Sequence, residues 1–137
     1  MLTEKDYCDY DTCVALKELG YNRGAYAYYF PNHKEDLIFN THQMRGCSIN
    51  EMLKGYNTYP KDVMGCEFID APTISQVLKW LRDEKKIHIQ IVVWEKGWYY
   101  EVWEFGDEPV FKIQSEDFKT YEEAALAGIK YCLDNLI

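Results

Sequence analysis

The stretch over residues 72–105 constrains the fold most, because its hydrophobic period changes from 3.6 to 2 near residue 86. Pro72 suits the first helical position, where its missing N–H costs nothing. Apolar residues then recur at i, i+3, i+4 and i+7, which marks one face of a helix: Ile74, Val77, Leu78 and Leu81. Lys85 and Lys86 suit the negative end of the helix dipole. The pattern predicts a helix over residues 72–85.

Two strands joined by a tight turn follow this helix. Residues 87–94 alternate with a period of two, and residues 98–105 are rich in aromatic and β-branched side chains; both features are typical of strands. A two-residue turn at Lys96–Gly97 would place opposite side chains on a shared face. The first face then holds Ile89, Ile91, Val93, Trp98, Tyr100 and Val102. This face is apolar enough to receive a helix.

The second face of the hairpin is the candidate binding site. Its aromatic and polar residues are Trp94, Tyr99, Trp103 and Phe105, with His88, Gln90 and Glu101. A dry core would not carry Glu and Gln, because burying unpaired polar groups is costly. A face open to water would not carry four large aromatic side chains unless something covers it. The cover is the N-terminal helix and hairpin, a second copy of the chain, or a partner protein.

The N-terminal part of the chain predicts helices and short strands. Asp9 suits an N-cap, and Gly20 suits the left-handed residue that closes a helix. A capping box at Ser48–Glu51 indicates a second, short helix. The predicted elements are helices over residues 10–19 and 49–54 and strands over residues 26–30, 37–39 and 66–69.

The C-terminal part predicts a third strand and a closing helix. Residues 110–113 extend the hairpin into a meander. Thr120 and Glu123 form a capping box, and one helical face then runs to the C-terminus through Leu126, Ile129, Leu133 and Leu136. Gly128 lowers the helix propensity by about 1 kcal/mol relative to Ala, which indicates close packing on a strand.

These elements predict an α+β fold. We expect an antiparallel sheet, made of a β-meander and an N-terminal hairpin, and two or three helices, the later two packed on one face. A length of 137 residues predicts a single domain over residues 1–137. No apolar run is long enough for a membrane span, and the N-terminus does not resemble a signal peptide. We therefore expect a cytoplasmic protein.

The cysteines do not predict a disulfide framework or a metal site. There are five of them, an odd number, and none forms a CxxC pair, so we expect reduced thiols. His33, His42 and Cys47 fall in a predicted loop region, but their spacing is wider than that of zinc ligand pairs and no fourth ligand is near. We expect no structural metal and no cofactor.

The charge of the chain is unevenly distributed. The net charge is −8, and residues 95–123 carry nine acidic side chains against three lysines. Phosphate binding requires clustered Lys or Arg, so direct binding to nucleic acid is disfavoured. An acidic surface of this kind serves solubility, or it binds a protein partner. A special case is a decoy that occupies a nucleic-acid-binding protein.

No catalytic motif stands out in the sequence. Glu101 and Glu104 are expected on opposite faces of their strand, so they do not flank one bond as glycosidase carboxylates do. No serine lies in a G-x-S-x-G turn, and no glycine-rich loop for phosphate is present. Catalysis is therefore not the expected function.

Several short blocks resemble a known group of proteins. They are Ala71–Ile74, Lys79–Arg82, Ile87–Ile89, the Leu16–Tyr21 segment and the closing Tyr121–Ala124. These blocks, with the aromatic hairpin, are similar to those of short uncharacterised proteins from gut anaerobic bacteria and their phages and prophages. The resemblance implies a setting in a phage or mobile element and no activity.

Two classes of function are compatible with these observations. The first is a small, acidic, non-catalytic protein–protein interaction module, including an accessory protein of a phage or mobile element, that binds a partner or itself. The second is a small-ligand or carbohydrate-binding domain that uses the aromatic sheet face for stacking.

Overall fold

Helices and antiparallel strands are both present in similar proportion, so the predicted α+β class is confirmed. The computed structural model describes residues 2–39 and 68–137, which fall into two units, Met1–Thr73 and Ile74–Ile137. The helices are α1 Tyr10–Glu18, α2 Ile74–Lys85 and α3 Tyr121–Asn135. The strands are β1 Ala27–Phe30, β2 His33–Phe39, β3 Ile69–Asp70, β4 Ile87–Trp94, β5 Gly97–Phe105 and β6 Pro109–Gln114. That the whole chain is one domain stays a prediction.

The first unit combines α1 with a sheet of strand order β2-β1-β3, in which both pairings are antiparallel. α1 begins where predicted, because the Asp9 carboxylate accepts a hydrogen bond of 3.0 Å from the Thr12 N–H. Gly20 follows the helix with a φ of +91°, a left-handed conformation that glycine adopts without strain. The predicted start and the predicted roles of Asp9 and Gly20 are confirmed, whereas the helix ends at Glu18, one residue before the predicted end.

Predicted strands of the first unit have different bounds in the structure. β2 begins at His33, not at residue 37, because the two-residue turn after Phe30 leads directly into it. The strand predicted over residues 66–69 appears as β3, Ile69–Asp70. The helix predicted over residues 49–54 lies outside the described residues.

The second unit consists of α2, the meander β4-β5-β6 and α3. The later two helices pack on one face of the sheet, as predicted. α3 approaches this face closely, because a Cβ added to Gly128 would lie 2.9 Å from Ile89 Cγ2 and 3.2 Å from Tyr100 Cγ. The predicted role of Gly128 in close packing is therefore confirmed. The large buried side chains of this unit include Val77, Trp80, Leu81, Ile87, Ile89, Val102 and Ile129.

α2 begins at Ile74 and not at Pro72. The two residues before it are extended, because Thr73 forms an antiparallel bridge with Tyr7 and the Pro72 carbonyl accepts a hydrogen bond of 3.0 Å from the Cys8 N–H. The helix ends before Lys86, which has a φ of +58° and turns the chain into β4. The apolar face was predicted correctly except for Trp80, which is also buried.

The turn between β4 and β5 lies one residue earlier than predicted. The loop is Glu95–Lys96, and Trp94 pairs with Gly97. Every cross-strand pair therefore differs from the predicted one by two positions. Because side chains alternate with a period of two, an even displacement leaves both predicted faces unchanged.

Candidate binding face

The seven predicted site residues lie on one face of the hairpin. His88 pairs with Trp103, and Gln90 pairs with Glu101. Tyr99, Trp94 and Phe105 follow on the same face because they lie an even number of residues from these along their strands. This surface, with the contributions of β6 given below, is called the aromatic face. α2 and α3 pack on the opposite side of the sheet.

β6 adds two residues to the aromatic face that the sequence did not predict. Phe111 pairs with Trp103, and their rings are in edge contact, with centroids 5.3 Å apart and an interplanar angle of 70°. Gln114 pairs with Glu101. A β-bulge lies between these two pairings, so simple alternation along the strand would have assigned one of the two to the wrong face.

Exposure on the aromatic face is greatest at its margins. The side chains of Trp94 and Phe105 are each 43% exposed, and that of Phe111 is 46% exposed. Trp103, at the centre, is half-buried. Its indole Nε1 is covered and has no hydrogen-bond partner among the described residues. Three exposed aromatic rings around a partly covered indole form an apolar surface of the kind that protein interfaces use.

Trp94 is fixed in position although it is exposed. Its Nε1 donates a hydrogen bond of 2.8 Å to Asp117 Oδ1. The ring of Tyr99 contacts it edge-on at 6.3 Å, and Lys96 Nζ lies 5.5 Å from the indole centroid. The residue opposite Trp94 is Gly97, which presents no side chain to the aromatic face. The ring is therefore held in place before any partner binds, which lowers the entropic cost of binding.

A row of three polar side chains crosses the aromatic face. Gln90, Glu101 and Gln114 are in register on the three strands. In residues 2–39 and 68–137 no hydrogen bond or ion pair of these side chains is found. Glu104, by contrast, lies on the opposite face and pairs with Lys112 Nζ at 3.6 Å. Glu101 and Glu104 are thus on opposite faces, as predicted.

His88 contributes a neutral ring to the aromatic face. Burial, with the Arg82 guanidinium as a smaller cause, lowers the pKa of His88 below its ordinary value. The imidazole lies 6.0 Å from the ring of Phe105, at an interplanar angle of 44°. At neutral pH this end of the face therefore carries no positive charge from His88.

Acidic residues stand at both ends of the aromatic face. Glu95 lies in the β4–β5 turn, near Asp117, and Asp107 and Glu108 lie in the β5–β6 turn. All four are exposed. The two lysines of the meander are already engaged, Lys96 above Trp94 and Lys112 with Glu104. The exposed aromatic rings are therefore bordered by carboxylates.

The first unit contains a separate group of buried polar side chains. The Tyr29 hydroxyl donates a hydrogen bond of 3.1 Å to the Cys8 carbonyl, and Cys13 Sγ lies 3.5 Å from the same oxygen. Burial raises the pKa of the Cys13 thiol far above its ordinary value and that of the Asp70 carboxyl to about 6. A thiol held protonated in this way is a poor nucleophile.

The described ranges contain neither a metal-binding cluster nor a membrane-spanning helix. No three His, Cys, Asp or Glu side chains within residues 2–39 and 68–137 are placed to share a metal ion. His42 and Cys47, which the sequence singled out with His33, lie outside these ranges. No helix in the described part of the chain is long and apolar enough to cross a membrane.

Comparison with protein-family models, with curated proteins and with solved structures finds no match. The aromatic face is therefore interpreted from its own geometry.

Proposed function

We propose that this chain is a non-catalytic protein–protein interaction module and that the aromatic face binds a partner protein. The observation that carries the proposal is the set of three exposed rings, Trp94, Phe105 and Phe111, on the sheet face opposite the helices. Aromatic side chains dominate interface energetics when a partner covers them. By the resemblance noted above, the setting is that of an accessory protein of a phage or mobile element.

Charge complementarity specifies the partner. Residues 95–123 carry a charge of −6, nine acidic side chains less three lysines, and exposed carboxylates border the rings. A partner that covers the rings must approach these carboxylates, and an approaching acidic surface would be repelled. The partner therefore presents apolar side chains to the rings together with Lys and Arg.

The arrangement of the rings favours a protein over an extended saccharide. The contacting pairs are steeply inclined, at 84° for Trp94 and Tyr99 and at 70° for Trp103 and Phe111. Rings inclined to one another create ridges and pockets into which apolar side chains pack, whereas sugar rings stack on a flat strip of coplanar aromatics. The carbohydrate-binding alternative lacks a comparable observation in its favour.

Neighbouring residues on opposite faces of the sheet provide matched control positions for mutation. Phe111 on the aromatic face and Val110 on the other face are neighbours, 46% and 51% exposed. Trp94 and Val93 are a second such pair, 43% and 60% exposed. Serine at each of these four positions removes a similarly exposed apolar side chain from one face or from the other.

The test uses the full chain and these four serine variants as immobilised baits in a lysate of the source cells. We expect the wild type, Val110→Ser and Val93→Ser to retain a basic protein, which salt of about 0.5 M releases. Phe111→Ser and Trp94→Ser should retain it at least about tenfold less well. Equal retention by aromatic and valine variants would overturn the proposal. Sedimentation of the purified chain tests whether the aromatic face binds a second copy of the chain. A dimer that is lost in Phe111→Ser and Trp94→Ser, but not in the valine variants, would mean that a second copy and not a basic partner occupies the face.

A further inference from the structure

We infer that Glu101 and its neighbours form a binding site for a guanidinium group, so that the partner inserts an arginine side chain at the centre of the aromatic face. This inference rests on the proposed function and names the partner's central residue. It starts from the position of Glu101, the carboxylate in the polar row between Gln90 and Gln114.

The first step concerns the charge of Glu101. Glu101 is half-buried, and no described cation pairs with its carboxylate. The lysines of the meander are engaged elsewhere, because Lys112 pairs with Glu104 at 3.6 Å and Lys96 lies over Trp94. A carboxylate that a partner would desolvate needs a cation from that partner, since an unpaired buried charge is strongly unfavourable.

The second step concerns the shape of the surroundings. Tyr99 and Trp103 flank Glu101 along β5, each two residues away on the same face, which is about 7 Å per side. A planar guanidinium on the carboxylate would therefore lie between two aromatic residues of the same strand, whose rings offer cation–π contacts. The Trp103 ring is held by its edge contact with Phe111, so this surface is formed in advance.

The third step distinguishes arginine from lysine. A guanidinium has five N–H donors in one plane, and the carboxylate accepts two of them. Gln90 and Gln114 lie directly opposite Glu101 on the neighbouring strands, at a Cβ spacing of about 5 Å. Their side-chain amides provide further acceptors for N–H groups. An ammonium is a compact, strongly hydrated charge without the planar set of donors that would match this row of acceptors.

The test is a titration of the ¹⁵N-labelled chain with two acetylated tripeptide amides, leucyl-arginyl-leucine and leucyl-lysyl-leucine. We expect the arginine peptide to shift the backbone amides of residues 99–103 saturably and the lysine peptide to bind at least about fivefold more weakly. Glu101→Gln should abolish the preference. Glu104→Gln, on the opposite face of the same strand, should keep it.

The outcomes separate this inference from the proposed function. Equal binding of both peptides, an unchanged preference in Glu101→Gln, or the absence of saturable shifts would overturn the arginine site. If the arginine site fails but Phe111→Ser retains the partner less well than the wild type in the bait experiment, the proposed function still stands. If Phe111→Ser retains the partner as wild type does, the proposed function itself fails.

Discussion

Gly128 of α3 lies so close to Ile89 of β4 that an added Cβ would be 2.9 Å from Ile89 Cγ2. Real Cβ atoms are not found at this distance, so the neighbouring side chain would have to move. Tyr100, 3.2 Å from the same point, limits the room for that movement. The close approach of α3 to the sheet therefore depends on glycine, because no side chain fits at this position.

This contact predicts that Gly128→Ala destabilises the protein although alanine is the better helix former. The helix would gain about 1 kcal/mol, whereas overpacking a filled core costs about 1–3 kcal/mol. We expect a net loss of stability in urea unfolding followed by circular dichroism. Gly106→Ala is the control, because nothing lies within 4 Å of its Cβ position, and its effect should be within about 0.5 kcal/mol. A stabilised Gly128→Ala variant would contradict the packing of α3 on Ile89.

The burial of Leu81 predicts a second effect. Leu81 is fully buried in the second unit, so Leu81→Ala should cost about 2–5 kcal/mol in unfolding free energy. Ile91, expected to share that core, is only half-buried, and Ile91→Ala should cost less. Lys79→Ala should stay within about 0.5 kcal/mol, because its ion pair of 3.2 Å with Asp83 is exposed. Equal losses at Leu81 and Lys79 would mean that the buried face of α2 is misassigned.

The raised pKa of Asp70 predicts a pH dependence of stability. Burial raises the pKa of this carboxyl from 3.8 to about 6, while Lys17 acts in the opposite direction. Protonated Asp70 is thus favoured in the folded state. Its stabilising effect is complete below about pH 4 and is lost as the pH rises through about 6. Discounted for partial exposure, the loss is about 2 kcal/mol.

Asp70→Asn should remove this component. The measurement is the difference in unfolding free energy between the variant and the wild type, from urea unfolding at pH 7 and at pH 4. We expect this difference to favour the variant more at pH 7 than at pH 4. Glu35→Gln, an exposed position of the same unit, is the control and should show no such difference. If the Asp70→Asn difference is independent of pH, the carboxyl titrates alike in both states.

The buried thiols predict slow reaction with alkylating agents. Burial raises the pKa of Cys13 far above its ordinary value and that of Cys132 to about 12, so little thiolate forms at neutral pH. Peptide mass spectrometry after brief iodoacetamide treatment of the native protein should find both at least about a hundredfold less modified than after denaturation. Denatured protein should show five reactive thiols, the number in the sequence. Rapid native labelling of Cys13 would show that its surroundings open readily.

Local sequence signals predicted the elements whose ends depend on nearby residues. Asp9 caps α1 through Thr12, and Thr120 accepts a hydrogen bond of 3.1 Å from the Glu123 N–H at the start of α3. Such caps act within one turn, so the sequence alone contains them. In the capping box of α3 the Glu123 carboxylate accepts from the Lys119 N–H, at 3.3 Å, one residue before the expected donor.

Features that depend on distant residues were not predictable. α2 starts late because Tyr7 bridges Thr73, a contact between residues far apart in the chain. Phe111 and Gln114 were missed because the β6 bulge interrupts the alternation that assigns faces. The hairpin faces were predicted despite a misplaced turn, since pairing errors of two positions do not exchange them.

The alternation of side chains between the two faces also determines which incorrect strand pairings of the hairpin keep its faces intact. A pairing displaced by one position would place residues of the aromatic face beside aliphatic core residues. This pairing is disfavoured because it mixes the two faces. A pairing displaced by two keeps both faces intact and is the closer competitor. Gly97 is tied to the native turn, because its φ of +135° is one that residues with a side chain rarely adopt and because the Phe118 carbonyl occupies the position of its Cβ. A side chain at Gly97 would force its own backbone or that of Phe118 to move, so this one position links the β4–β5 turn to the segment that follows β6.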